Sequence, residues 1–213
     1  MEATQADLVR VIRAAGIRDQ RLITAFETIP RADFVPKHLV GSAYEDQPLP
    51  IPHDQVTTQP SLAAVMIEAL ELQPSDRVLE VGSGYGFQTA LLAHLCAEVT
   101  SIEIWDDLAD VARRNLASHA IDNVEVVVGD GSLGVPERSP FDAVMVSGAF
   151  TSVPEPLVDQ LVDGGRLIQP IGGGGAEMVT LFRKSEGRLV KVREVISARF
   201  VRLVGEEAFP GGP

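Results

Sequence analysis

Apolar positions recur at near-helical spacing through residues 4–28, where Leu8, Val9, Ile12, Ile17, Leu22, Ile23 and Phe26 mark one or two amphipathic helices with a break at Gly16. Pro30 ends this pattern. Residues 31–60 carry Pro36, Pro48, Pro50, Pro52 and Pro60, which predicts mostly loop and extended chain. So long a loop inside a compact domain points to a lid or a binding segment. From residue 61 the rhythm changes. Ser61–Leu72 is rich in helix formers, with Ser61 as candidate N-cap. Short apolar runs then alternate with helical patterns. Strands are expected at Arg77–Val81, Val99–Ile104, Val124–Val128, Phe141–Ser147 and Arg166–Pro170, and helices at Phe87–Cys96, Asp106–His119 and Glu155–Leu161. That alternation predicts a Rossmann-like, doubly wound α/β fold whose mostly parallel sheet is covered on both faces. Glu177–Arg183 and Arg188–Ile196, joined through Lys184–Gly187, predict an antiparallel C-terminal hairpin at the sheet edge. Residues 1–213 read as a single domain. N-terminal helices and a substrate loop occupy 1–60, a cofactor-binding core 61–170, and a hairpin and tail 171–213.

Composition narrows the function classes. Hydrophobic residues make up 45% and charged residues 23%, values of a folded globular chain. Apolar stretches are interrupted well before the ~20 residues a membrane helix needs, so no membrane association is expected. Glu2 and Asp7 follow Met1 without the basic-then-apolar pattern of a signal peptide, and a cytoplasmic address is the simplest expectation. The single cysteine, Cys96, allows no internal disulfide and no multi-cysteine metal site; it reads as core packing, and no metal is expected. A net charge of −12 repels a phosphate backbone, and Arg10, Arg13, Arg18 and Arg21, interrupted by Asp19, read as a solvated face. Nucleic acid is therefore not expected as a partner, and the protein is expected to be monomeric.

The candidate chemistry lies at strand ends. Gly82, Gly84 and Gly86 fall between a predicted strand and helix, within Glu80-Val-Gly-Ser-Gly-Tyr-Gly86, where a Cβ would keep a ligand off the backbone. Their G-x-G-x-G spacing departs from the G-x-G-x-x-G of pyrophosphate binders, which favours a phosphate-free nucleoside ligand such as S-adenosyl-L-methionine and disfavours a nicotinamide oxidoreductase. Ser83 and Tyr85 belong to the same turn. Glu103, followed by Ile104, closes the next strand at the distance where an acid accepts hydrogen bonds from ribose hydroxyls. Asp130, followed by Gly131, ends the strand after that and could receive an adenine amino group. Glu80 could face the ligand's ammonium group or serve as a structural hydrogen-bonding partner. Agreement among three consecutive strand ends outweighs any one of them. Of the four histidines, His94 and His119 read as structural, and His53, in the loop, stands as a site candidate.

With those residues in place, the chain resembles the protein-L-isoaspartate O-methyltransferase family along nearly its whole length. The resemblance rests on Pro30-Arg-Ala-Asp-Phe-Val-Pro36, Ala43-Tyr-Glu-Asp46, Pro48–Ile51, Gln55-Val-Thr-Thr-Gln-Pro60, the 78–93 turn, the 129–134 loop and Phe200–Gly205. It implies methyl transfer from S-adenosyl-L-methionine, leaving S-adenosyl-L-homocysteine, to the α-carboxylate of isoaspartyl residues in damaged proteins and peptides. The ester then cyclises to a succinimide whose hydrolysis restores some aspartate. It also implies Thr58 as the catalytic hydroxyl, standing where the family has serine, with Gln55, Val56, Thr57 and Val201 on the substrate. Thr57 offers a second hydroxyl that could share or take over the role of Thr58. Two departures, Ser147–Thr151 and Arg202 in place of proline, leave open a dedicated peptide or small-molecule acceptor, or a cofactor-binding relative without turnover. A carboxylate with a pKa near ~4 is already the nucleophile at neutral pH, so no general base is required, in keeping with the lack of a His–Asp or Cys–His pair.

Overall fold

The computed structural model describes residues 2–210. Two amphipathic helices open the chain, α1 (Gln5–Ala14) and α2 (Gln20–Thr28). Thr4 and Asp7 cap α1 reciprocally, Asp19 caps α2, and Gly16 at φ +94 makes the left-handed turn between them. Residues 31–60 are more ordered than their prolines suggest. Short 3-10 turns at Arg31–Phe34 and Lys37–Ser42 precede a small antiparallel hairpin of β1 (Pro50–Ile51) and β2 (Gln55–Val56). His53 and Asp54 form its tip, both at positive φ.

Helix α3 spans Pro60–Ala69, and Ser61 is not its N-cap. Gln59 takes that position and Pro60 starts the helix, where a missing N–H costs nothing. The cap arrives from a distance: the Asp46 carboxylate accepts from the Ser61 N–H (2.8 Å) and from the Gln59 amide (3.0 Å). Strand β3 (Arg77–Val81) leads into α4 (Phe87–Ala93), which stops at His94, short of the expected Cys96. Then follow β4 (Glu98–Glu103), α5 (Asp106–Ser118), β5 (Val124–Val128), β6 (Phe141–Val146), α6 (Glu155–Asp159) and β7 (Leu161–Ile171). Helix α6 ends before Leu161 and β7 begins far earlier than Arg166, because Leu161 pairs with Phe141 of β6 and the Gln160 amide is held by Val135 N–H and Leu133 C=O. Strands β8 (Glu177–Ser185) and β9 (Arg188–Ala198) form the hairpin, and each runs slightly past its expected end. Its Glu186-Gly187 turn has positive φ at both residues, the twist-compatible two-residue geometry.

The sheet order is β5-β4-β3-β6-β7-β8-β9, parallel from β5 to β7 and antiparallel beyond. Alternation along the strands buries both faces. Val78, Val99, Met145 and Ile168 join α1–α4 in one core, whereas Leu79, Val81, Val144, Val146 and Leu167 pack with Leu157 of α6 in another. Chain order reverses between β3 and β6, and that crevice is where an open parallel sheet presents its ligand site. No helix among the described residues is long and apolar enough to cross a membrane.

Candidate active site

The turns after β3, β4 and β6 converge on one cavity of about 1000 Å³, counting its open mouth. Its wall contains Gly82, Ser83, Gly84 and Tyr85 from the first turn, Glu103, Ile104 and Trp105 from the second, and Ser147 and Gly148 from the third. Gly82 and Gly84 hold φ values of +95 and +52, a left-handed backbone that favours glycine. Gly86 (φ +88) serves differently. A Cβ there would lie 3.3 Å from the Ala112 backbone, so this glycine lets α4 approach α5 and lies outside the cavity wall.

Glu103, 5% exposed, is the wall's only carboxylate. It accepts from the Gly84 N–H (2.9 Å) and the Trp105 N–H (3.2 Å), which leaves lone pairs for a ligand's hydroxyls. Burial pushes its pKa upward against those bonds. Ser83 is tied to Ser101 of β4 through a 2.5 Å hydroxyl contact that fixes the turn. Glu80 does not reach the cavity. Fully buried, it accepts from Gln88 (2.9 Å), Thr89 (2.5 Å) and Ser101 (2.6 Å), so the structural alternative describes it. Burial raises its pKa as well. Its effect on the site passes through Gln88. Gln88 lines the cavity; its Nε2 donates to Glu80 and to the Ser147 hydroxyl (2.8 Å), while its Oε1 is buried without a partner among the described residues. Because a carboxylate only accepts, this pairing sets which way the amide faces. An orphaned acceptor beside a glycine cradle and a carboxylate suits a ligand with an ammonium group at one end and ribose hydroxyls at the other.

Asp130 also departs from expectation. Gly131 lines the cavity, but the Asp130 carboxylate accepts from Ser132 N–H (2.9 Å), Ser132 hydroxyl (2.7 Å) and Glu206 N–H (2.6 Å). It pins the C-terminal tail instead of lying on the wall. Ala149 and Leu203 complete the fastening: Ala149 N–H donates to Val201 C=O and Leu203 N–H to Ala149 C=O, both at 2.8 Å. This brings Val201 and Arg202 to the mouth of the cavity.

The outer wall comes from residues 31–60. Arg31, 1% exposed, donates at 3.0 Å to the carbonyls of Ala43, Glu45 and Gln47 and to the Thr57 hydroxyl. Burial lowers its pKa to about 10, so it stays charged at neutral pH. The Thr57 oxygen also accepts from Leu49 N–H (3.1 Å), which commits its lone pairs to the loop's own architecture and leaves its O–H as a donor. Thr58 has no such tie: its hydroxyl has no protein hydrogen bond among the described residues, and it lines both this cavity and an adjoining one. Gln55, Val56 and Val201 lie on the wall with it. His53, at the hairpin tip, stacks on Trp105 (3.9 Å between rings) and pairs with Asp107 (2.8 Å), clasping the hairpin to the start of α5. His119 stacks on Phe34 (5.1 Å) and pairs with Asp33, a structural role, and His94 is the exposed C-cap of α4. Cys96 is buried with its thiol pushed up to about 12, an inert packing group.

Sequence reasoning missed Gln88, Trp105 and the role of Arg31, while Ser147 lies in the Ser147–Thr151 segment it had singled out. Gln88 follows the glycine turn by half a helical turn and Trp105 follows Glu103 by two residues, so proximity to the motifs was an available signal. Arg31 stood in the Pro30–Pro36 motif, but that motif did not disclose its role, because nearly all its partners are backbone carbonyls.

Comparison with known proteins agrees with this geometry. Residues 3–208 match the family described as protein-L-isoaspartate(D-aspartate) O-methyltransferase. The chain is 48% identical over 200 residues to the protein-L-isoaspartate O-methyltransferase of Methanoculleus marisnigri, covering 94% of this chain and 90% of that one. It is 45% identical over 199 residues to that of Myxococcus xanthus, covering 92% and 94%. A solved protein-L-isoaspartate O-methyltransferase superposes with a TM-score of 0.84 at 32% identity, covering 96% of this chain and 67% of that chain. The Plasmodium falciparum counterpart, solved with S-adenosyl-L-homocysteine, gives a TM-score of 0.83 at 24% identity over 95% and 99%, a likeness of fold.

Proposed function

This chain belongs to the protein-L-isoaspartate(D-aspartate) O-methyltransferase family, and from that premise we propose how its residues perform the reaction. The protein transfers a methyl group from S-adenosyl-L-methionine to the α-carboxylate of L-isoaspartyl residues, which starts their repair through a succinimide. In our reading the turn at Gly82–Tyr85 receives the amino-acid part of the cofactor, the Gln88 Oε1 accepts from its ammonium group, and Glu103 accepts from its ribose hydroxyls. When bound, S-adenosyl-L-methionine supplies a methyl group activated by a sulfonium charge that is lost on transfer. The acceptor needs no base, since its carboxylate is ionised at neutral pH. What the chain contributes is alignment, which supplies roughly 7–11 kcal/mol in well-oriented reactions. Thr58 donates to one carboxylate oxygen and leaves the other to attack. The observation that carries this assignment is the contrast between neighbours: the Thr57 oxygen is held in the loop by the Arg31 and Leu49 donors, with its O–H left as a second donor, whereas the Thr58 hydroxyl has no protein partner among the described residues and lies beside both cavities.

We further take the chain to act as one domain and as a monomer, in the cytoplasm, on peptides and not on nucleic acid; the net charge of −12 supports the last point. The test is incubation with methyl-labelled cofactor and matched isoaspartyl, aspartyl and asparaginyl peptides. A base-labile ester releasing labelled methanol from the isoaspartyl peptide alone is expected. Its absence, with S-adenosyl-L-homocysteine still bound, would favour a dedicated acceptor or a relative without turnover.

A further inference from the structure

Arg202 belongs to the lining of the cavity, and its guanidinium rests against Phe209 and near Gly174. Arg202 is exposed, lines the cavity mouth, and pairs with no carboxylate among the described residues. What distinguishes Arg202 is the way its surroundings hold it. The guanidinium lies over the Phe209 ring (5.0 Å), Phe209 meets Phe150 edge to face (5.0 Å), and the flanking backbone is held by the Ala149 hydrogen bonds to Val201 and Leu203. An aromatic platform that restrains an arginine in advance lowers the entropy cost of recruiting it to an anion. The field beside it favours an anion too. The adjoining cavity, which shares Thr58 and Val201 with the first, carries Arg199 and no acidic side chain on its wall.

We propose that Arg202 is a specificity residue that reads an acidic side chain flanking the isoaspartate, so that this enzyme prefers isoaspartyl sites in acidic sequence. The proposal rests on the methyltransferase reading above. The acceptor carboxylate itself is the poorer partner. It must reach Thr58, where the two cavities meet, and a guanidinium paired to the attacking oxygen would hold its charge in the ground state.

The test uses isoaspartyl peptides carrying Glu or Gln on the N-terminal or the C-terminal side of the isoaspartate. Two quantities are read: kcat/KM, and Kd to the protein loaded with S-adenosyl-L-homocysteine. For the natural protein the Glu peptide is expected to win by about two- to fivefold on at least one side at low salt, with the advantage lost at high salt. In Arg202→Met the Glu/Gln ratio falls to one, and in Arg202→Lys part of it returns. A ratio of one or less on both sides in the natural protein overturns the proposal. So does a preference that survives Arg202→Met, or an equal drop for both peptides, which would mark a contact with the acceptor or a structural role. Turnover without preference refutes only this proposal. Preferential binding without turnover upholds it and refutes the activity, and failure of every peptide to bind refutes both.

Discussion

At the inner end of the cavity, Gly82, Gly84 and Glu103 sit in turns that leave adjacent strands of one sheet, and the strand pairing sets their spacing. At the outer end, Thr58, Arg31 and Val201 come from distant segments with almost no regular structure, joined by one buried guanidinium and a few tail hydrogen bonds. The inner half is a property of the sheet. The outer half exists only when two loops meet over it. Injury to the inner half should therefore abolish cofactor binding in a protein that stays folded. Injury to the outer half should weaken the loops and acceptor handling while cofactor affinity survives.

The sharpest way to break this contrast is Gly84→Val. A β-branched residue at φ +52 is strained, and its methyls project into the cradle, although the Cβ position itself has room beside Ile51 (3.5 Å). S-adenosyl-L-homocysteine affinity should fall by ~100-fold or more by calorimetry with the circular dichroism spectrum unchanged; a folded variant that binds normally would show that the turn does not hold the ligand.

Next in size is Arg31→Met, which strips the donor from three carbonyls. At about 1–3 kcal/mol for each buried group left unpaired, a loss of roughly 3 kcal/mol or more in denaturant unfolding is expected. The peptide KM should rise more than the S-adenosyl-L-homocysteine Kd. Equal changes in both would mean that the loop supports the cofactor as much as the acceptor.

Thr58→Val should lower kcat by a factor equivalent to about 1.5–3 kcal/mol, the worth of a hydrogen bond to a charged group, and leave cofactor affinity within a few-fold. Unchanged turnover would transfer the role to the Thr57 hydroxyl, whose O–H has no acceptor among the described residues, or to backbone donors.

The smallest effect is a pH slope. Burial raises Glu103 above its ordinary value of 4.5 in the folded chain, so the ligand-free fold binds more protons than the unfolded chain in the window above that value. Stability of the free protein should therefore decline as pH rises through that window, and Glu103→Gln should remove this part of the slope. Hydroxyl donors favour the ionised form, so the Tm gain on adding S-adenosyl-L-homocysteine should grow with pH. Melts from about pH 5 to 8 read both, and identical slopes in the two proteins would remove Glu103 from the ribose site.

Local motifs were legible to the extent that their partners were local. The glycine turn and Glu103 could be placed because a parallel strand puts its C-terminal turn at the crevice, whatever the rest of the chain does. Glu80 was ambiguous because alternation along β3 does not reveal which face meets α4; it faces Gln88 and Thr89, and Val81 takes the wall. Asp130 was read by its motif alone, and the tail that occupies its carboxylate begins some seventy residues later in the chain. The Ser61 cap failed for the same reason, since Asp46 reaches α3 from another segment.

Hydrophobic periodicity and the spacing of glycines and acids were thus sufficient for the chain order of the core strands and helices, the mostly parallel sheet and the cofactor turn, while the family was legible as a resemblance in the motifs of residues 30–60 and 200–205. Each of these is a short-range property, set by backbone conformation and by side chains a few residues apart. The tertiary structure alone decided which of Thr57 and Thr58 has its oxygen tied to the loop, which acid faces the cavity, and where Arg202 stands. Those outcomes depend on which distant backbone groups claim each polar atom, and a hydrogen-bond partner drawn from the main chain leaves no mark in the sequence.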